Sequence, residues 1–152
     1  MLAEFLPGTR SLRDVSIDDF QQYERGLPEN IAKRCRHVIT ENYRTLAARA
    51  LLEDGDGTGF GHLMLDSHAS LQRQYEVSCA ELDLLVETAM TVEGTLGARM
   101  TGGGFGGCTV NLVRNDCLDE FRDRVQRAYS RVTNMSPAIH VVESADGAKE
   151  IC

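Results

Sequence analysis

The sequence predicts an α+β fold: a small, mostly antiparallel sheet with helices packed on one face, preceded by additional helices. Three observations carry this. From Ser16 to Met90 apolar residues recur at helical spacing. Residues 97–113 then switch to short strand-forming runs on either side of a glycine-rich loop. A last amphipathic helix precedes another apolar, β-branched run at 138–143. Four helices followed by strand, glycine loop, strand, helix and strand fit a layered α+β domain, with the ferredoxin-like split βαβ as template for the second half. Residues 1–152 are expected to form a single domain, since domains run to about 100–200 residues.

Residues 1–15 show no clear period. Ser16 is a candidate N-cap, and Asp18 and Asp19 suit the first turn of a short helix that Gly26 ends. Pro28 opens a long helix with Leu27, Ile31, Cys35, Val38, Ile39, Leu46, Ala47, Ala50 and Leu51 on its apolar side. Residues 53–57, with two glycines and three acids, stop it as a solvated loop. Asp54 and Asp56 suggest a calcium loop, but no glutamate stands at the twelfth position. A third helix spans about Thr58 to Gln74, with Phe60, Leu63, Met64, Ser67 and Leu71 on one face. Ser78 and Glu81 form a capping-box pattern for a fourth, which buries Leu82, Leu85, Val86, Ala89 and Met90 and ends at Gly94 to Gly97.

Strands are expected at Ala98–Thr101 and Cys108–Val113. Asn115 then caps a helix to about Thr133, with Leu118, Phe121, Val125, Ala128 and Val132 inward. Residues 138–143 read as a strand, 145–147 as a turn and 148–152 as a returning strand.

Composition excludes several classes. Sixteen basic against 23 acidic residues leave a net charge of -7, which repels polyanions and excludes broad nucleic-acid binding. Local amides and a few cations can still hold a small anion against that distant field. No run approaches the roughly 18 apolar residues of a membrane span, and Met1 to Gly8 lack the basic start of a signal peptide. The five cysteines are odd in number and widely spaced, without C-x-x-C or zinc-like histidine spacing. Reduced thiols in a cytoplasmic protein are the expectation.

Five of the six residues from Gly102 to Gly107 are glycine. Each glycine costs backbone entropy on folding, so the run needs a reason. Either several residues adopt positive φ, or backbone amides must approach a ligand closely, and successive bare amides form an anion-binding nest. A purely structural bend needs only one or two glycines, which favours proximity to a ligand. Gly102, Gly104 and Gly107 match G-x-G-x-x-G, but the dinucleotide fingerprint requires a helix next, and Thr109, Val110 and Val113 read as strand. No Gly-Lys-Ser/Thr and no protein-kinase signature is present.

The segment Gly97-Ala-Arg-Met-Thr-Gly-Gly-Gly-Phe-Gly-Gly-Cys-Thr-Val110 resembles the third signature motif of the GHMP small-molecule kinases, in its galactokinase form. So do Phe60-Gly-His-Leu-Met-Leu-Asp-Ser-His-Ala-Ser-Leu-Gln-Arg-Gln-Tyr-Glu-Val-Ser-Cys-Ala-Glu-Leu-Asp83, Arg10-Ser-Leu-Arg-Asp-Val15 and Arg36-His-Val-Ile-Thr-Glu-Asn42. The likeness covers nearly the whole chain and is to the C-terminal portion of the family.

The resemblance implies a GHMP kinase C-terminal domain, ATP with Mg²⁺ as cofactors, and galactose or a related sugar phosphorylated at its 1-hydroxyl. In the family the N-terminal domain supplies the sugar motif, the catalytic aspartate and arginine, and a phosphate loop. Pro7, Pro28 and Pro137 are the chain's only prolines, and none is followed by that loop's Gly-Leu-Ser-Ser. The N-terminal half is therefore expected as a fused or separate partner, and neither cofactor is expected to bind this chain tightly alone. No catalytic or metal-binding residue is carried over. Thr101, Gly102, Gly103, Gly104, Phe105, Gly106 and Gly107 are carried over as contributors to the ATP and sugar site.

Other residues have plainer expectations. Arg99 either meets a phosphate or forms a strand-end salt bridge; Ser67 and His68 pack or hydrogen-bond within a helix; Asp66 is solvated; Cys108 is buried. The face that meets the absent half should be open and apolar. The alternative reading is a non-catalytic, galactokinase-like module that binds sugar or nucleotide, or regulates.

Overall fold

A computed structural model describes residues 2–143, 145 and 147. In chain order these form α1 (Leu2–Phe5), α2 (Ile17–Tyr23), α3 (Glu29–Glu53), α4 (Gly57–Ser70), α5 (Ala80–Met90), β1 (Thr95–Thr101), β2 (Cys108–Val113) and α6 (Leu118–Thr133). The strands pair antiparallel, from Thr101 opposite Cys108 to Thr95 opposite Val113, with a register slip between Thr95 and Gly97. The expected α+β layering is present among the described residues as a two-stranded antiparallel sheet with helices.

Two apolar cores organise the chain. Val15, Phe20, Leu27, Ala32, Cys35 and Ile39 tie α2 to the first half of α3. Val86, Ala89, Val92, Ala98, Phe121 and Val125 bind α5 and α6 beneath the hairpin. The α3 pattern is satisfied only over its first half. Leu46 is 68% exposed and Tyr43 and Leu52 are exposed too, because no described element packs over that stretch. Val132 on α6, expected inward, is likewise exposed.

Helix ends follow local chemistry. Ser16 Oγ accepts from the Asp19 amide at 3.0 Å. Asp56, expected to be merely solvated, caps α4 by accepting from Gly59 N at 2.8 Å. Ser78 does not form the expected capping box. Its hydroxyl donates to Asp83 Oδ1 at 2.5 Å, and Cys79 becomes the N-cap. Glu81 turns back to its own amide and the Cys79 thiol, which holds its carboxyl below the usual range. Asn115 opens a short 3₁₀ turn instead of capping, and α6 starts at Leu118. The helix expected to reach Gln74 leaves α geometry at Ser70 and widens into a π turn, Leu71–Tyr75. The next helix ends at Met90, so Gly97 lies within β1 and not at a helix end.

The strand expected at 138–143 is not formed. Ile139 packs on the second core, but Val142 is 83% exposed, and without a backbone partner the apolar run has no ladder to join. The expected strand at 148–152 lies outside the described residues, as does part of the turn at 145–147.

Two contacts fix α4 and α3 around the hairpin. Helix α4 meets β1 backbone to backbone. A Cβ on Gly61 would stand 2.0 Å from Leu96 O, and one on Gly97 would stand 2.4 Å from Gly61 O. On α3, buried His37 places Nδ1 2.8 Å from Ser70 Oγ and stacks on Tyr75 at 4.5 Å between ring centroids. Ser70 donates onward to Gln74 Oε1 at 3.0 Å, so the imidazole donates from Nδ1 and is neutral. Burial first, then the charges of Arg44, Arg99 and Arg34, push its pKa from 6.5 to about 4.

Two outcomes follow. Gly61→Ala forces α4 off β1 and lowers unfolding free energy in urea titration by about 2–3 kcal/mol, at the upper end of overpacking costs. Because the folded His37 binds its proton less readily than the unfolded one, its contribution is complete above pH 6.5 and is lost towards pH 4. That loss amounts to up to roughly 3 kcal/mol. His37→Gln should flatten the decline in stability measured between pH 7 and 5. His68, shifted in the same direction, preserves part of the slope.

Candidate functional site

Thr101 to Gly107 come together as the exposed tip of the β1–β2 hairpin, with a strand on each side and no helix following directly. The dinucleotide geometry is therefore not present. Gly102, Gly104, Gly106 and Gly107 have φ of 88°, 86°, 132° and 107°, and Phe105 joins them at 59° although it carries a side chain. Gly104 is the position where glycine is obligatory. A Cβ there would lie 2.2 Å from Val77 O, a backbone atom that cannot swing away. Phe105 N donates to that same carbonyl at 2.7 Å. Among the described residues no other hydrogen bond commits an amide of this loop, so those of Gly102, Gly103, Gly104, Gly106 and Gly107 stay uncommitted. The Phe105 ring is 77% exposed.

The loop rests on a braced turn. Val77 N donates to Leu71 O at 3.1 Å and closes the π turn. Glu76 sits at φ 58°, and its carboxylate is held by Lys33 at 3.2 Å and Arg34 at 2.6 Å, both from α3. The Arg34 and Lys33 hydrogen bonds hold the Glu76 carboxyl below its usual range. Arg34 also donates to Gln74 O and lies over the Tyr75 ring at 5.8 Å.

The root of the loop on β1 is fixed separately. Met100 N donates to His68 Nδ1 at 3.3 Å, and His68 Nε2 lies 3.3 Å from Asp83 Oδ1. Asp83 also accepts from Ser78 Oγ at 2.5 Å and Gln72 Nε2 at 2.7 Å. Burial lowers the His68 pKa more than Asp83 restores it, so the ring is neutral, accepting at Nδ1 and donating at Nε2. His68 thus bonds within the packed helix layer as expected, and Ser67 does too, donating to Glu41 Oε2 at 2.6 Å. Asp66 is solvated, also as expected.

Two expectations fail. Arg99 forms no ion pair among the described residues; its Nε donates to Met100 O at 3.0 Å. Cys108 is exposed, because it pairs with Thr101 at the mouth of an open loop and not under a helix. The sequence reading missed the Glu76–Val77 turn, Arg34 and the Asp83 hub. A glutamate in left-handed conformation carries no compositional mark, and Asp83 looks like any acid in a helix's first turn.

Chemically, the tip offers a cluster of bare main-chain donors on a rigid support, which suits the oxygens of a phosphate. It offers no proton acceptor for a reaction. Among the described residues no group of three or more His, Cys, Asp or Glu side chains is placed to hold a metal ion, so the donor set does not fit Mg²⁺.

Comparison with known proteins agrees with this geometry. The family model described as "GHMP kinases C terminal" matches residues 47–131, more than half of the chain. A galactokinase of Roseiflexus sp. (strain RS-1) is 44% identical over 150 residues, covering 99% of this chain and 38% of that protein. The galactokinase of Homo sapiens is 42% identical over 145 residues, covering 95% and 36%. The crystal structure of Lactococcus lactis galactokinase complexed with galactose superposes with a TM-score of 0.84 at 40% identity, covering 89% of this chain and 35% of that one. The chain spans little more than a third of the length of these relatives. With the matched family model and the hairpin loop in agreement, the chain belongs to the GHMP kinases and carries their C-terminal domain.

Proposed function

We propose that the chain is the C-terminal portion of a galactokinase, which phosphorylates galactose to galactose 1-phosphate with ATP. Residues 1–152 act in this reading as one domain that needs the N-terminal half its relatives carry. The observation that carries the reading is the exposed tip at Thr101–Gly107, with amides uncommitted and backbone braced against Val77. Its relatives at 40–50% identity are galactokinases, which supports galactose as the sugar and does not favour a module without chemistry.

Phosphoryl transfer is mostly positioning and stabilisation of charge on phosphate oxygens. ATP supplies the phosphoryl group when bound. The chain's part is to close the site. Amides of Gly102, Gly103, Gly106 and Gly107 point fixed dipoles at anionic oxygens without reorganisation. The exposed Phe105 ring excludes water from the closed site. Mg²⁺ and the acid/base chemistry fall to the N-terminal half, since the donor set here does not fit a metal. No helix among the described residues is long and apolar enough to cross a membrane. Cys35, Cys79, Cys108 and Cys117 are all free thiols, which supports a cytoplasmic setting.

The pure chain is expected to release no galactose-dependent ADP, whereas mixing it with an N-terminal galactokinase half restores turnover. Gly104→Ala in the reconstituted enzyme should lower kcat/KM for ATP by about a hundredfold, as for loss of aligned oxyanion donors. Turnover by the chain alone, or an unaffected Gly104→Ala enzyme, contradicts the reading.

A further inference from the structure

The two supports of the glycine tip meet at one carboxylate. Asp83 lies in the first turn of α5, a helix anchored in the second core by Val86 and Ala89, with Leu82 buried beside it. Its side chain is 23% exposed and takes contacts from three parts of the chain. Oδ1 accepts from Ser78 Oγ at 2.5 Å, and His68 Nε2 lies 3.3 Å from the same oxygen. Oδ2 accepts from Gln72 Nε2 at 2.7 Å. Hydrogen bonds to an ionised carboxylate are about twice as strong as neutral ones, and linked bonds polarise one another.

Each contact continues towards the tip. Ser78 follows Val77, whose carbonyl accepts from Phe105 N at 2.7 Å. Gln72 belongs to the π turn Leu71–Tyr75, and the Leu71 carbonyl accepts from Val77 N at 3.1 Å. His68 accepts at Nδ1 from Met100 N at 3.3 Å, one residue before the tip begins. The stretch from Thr101 to Gly104 is therefore slung between two fixed points, Met100 and Phe105, and one side chain holds the supports of both. The amides of Gly102 and Gly103 lie between those points. Among the described residues no hydrogen bond or ion pair joins Asp83 to the tip itself, so it acts through its partners.

A local rule is broken to make this arrangement. Ser78 and Glu81 have the pattern of a capping box, yet Ser78 turns its hydroxyl to Asp83, and Cys79, the N-cap, makes no side-chain cap bond. A lost serine cap costs roughly 1 kcal/mol. Natural chains concentrate such departures at functional sites.

We infer that Asp83 is the positioning residue of the glycine tip: by holding Ser78 and His68 on one carboxylate it fixes Val77 and Met100 relative to each other, and with them the amides offered to phosphate oxygens. The clamp stands on this geometry alone. Its effect on catalysis rests on the galactokinase reading.

The test is residue-resolved hydrogen exchange on the full chain, comparing Asp83→Ala with the parent. The Phe105 and Met100 amides, neither of them bonded to Asp83, are expected to exchange about tenfold faster or more, as for loss of hydrogen bonds to a charged group. The Val86 and Ala89 amides, in the same helix as Asp83, are expected to keep their rates. Asp83→Asn keeps an acceptor oxygen and lets Gln72 turn its own amide, so it should restore most of the protection. Ser78→Ala removes only the hydroxyl and should speed Phe105 without altering Val86, which gives an independent readout if Asp83→Ala does not fold. An unchanged Phe105 amide in either folded alanine variant overturns the inference. So does acceleration shared equally by Val86 and Ala89, which makes Asp83 a stabiliser of the fold and nothing more. In the enzyme reconstituted with an N-terminal half, Asp83→Ala should lower kcat/KM for ATP about tenfold and leave KM for galactose unchanged. Faster Phe105 exchange with unchanged ATP kinetics overturns the role in the reaction. A reconstituted parent that turns over no galactose counts against the galactokinase reading instead, and the exchange result still decides the clamp.

Discussion

A single backbone hydrogen bond, Phe105 N–H to Val77 O at 2.7 Å, sets the shape of the functional end of this molecule. It can form only because Gly104 lacks a Cβ, and only because Val77 is presented by a turn that cannot relax. That turn is unusual on three counts: a π turn before it, Glu76 in left-handed conformation, and two cations from α3 on one carboxylate. Each alone is unfavourable or weak. Surface ion pairs contribute about 0–1 kcal/mol, and a non-glycine residue in that region of φ costs about 1–3 kcal/mol. Together with the Tyr75 stack they fix one conformation, and the loop inherits it. Spending a single amide of the loop anchors its middle and leaves its neighbours uncommitted.

Much of this arrangement could be read from sequence. The amphipathic stripes of α4 and α5, the hairpin and the exposed glycine tip follow from spacing and composition, because each is a local property. What escaped the reading depended on tertiary partners. The apolar residues at 138–143 promise a strand, but a strand exists only beside another, and β1 and β2 pair with each other. Ser78 and Glu81 promise a capping box, but Asp83 takes the hydroxyl. Leu46, Ala47 and Ala50 promise burial that the described residues do not supply. In the site, five glycines announced an exposed loop, whereas its seat at Val77 left no trace in composition.

Electrostatics divides the chain into two zones. The bulk is acidic, and its helix surfaces carry i,i+4 pairs such as Arg49–Glu53 and Arg127–Asp123. Around the hairpin Arg34 pairs with Glu76 and Arg44 with Glu41, and Arg99, without a carboxylate partner among the described residues, lies near two buried, neutral histidines. The tip itself carries bare amides, whose partial positive charge acts at short range within an acidic chain. The same arrangement explains why His68 can orient β1 through a neutral ring. A protonated imidazole would lose its acceptor nitrogen for Met100 N–H.

Residue-resolved amide hydrogen exchange on the intact chain tests most directly that one bond seats the loop while its neighbours stay available. The account predicts slow exchange at Phe105 and fast, solvent-like exchange at Gly102, Gly103, Gly106 and Gly107. Uniform protection across the tip, or a Phe105 amide that exchanges as fast as its neighbours, would contradict it.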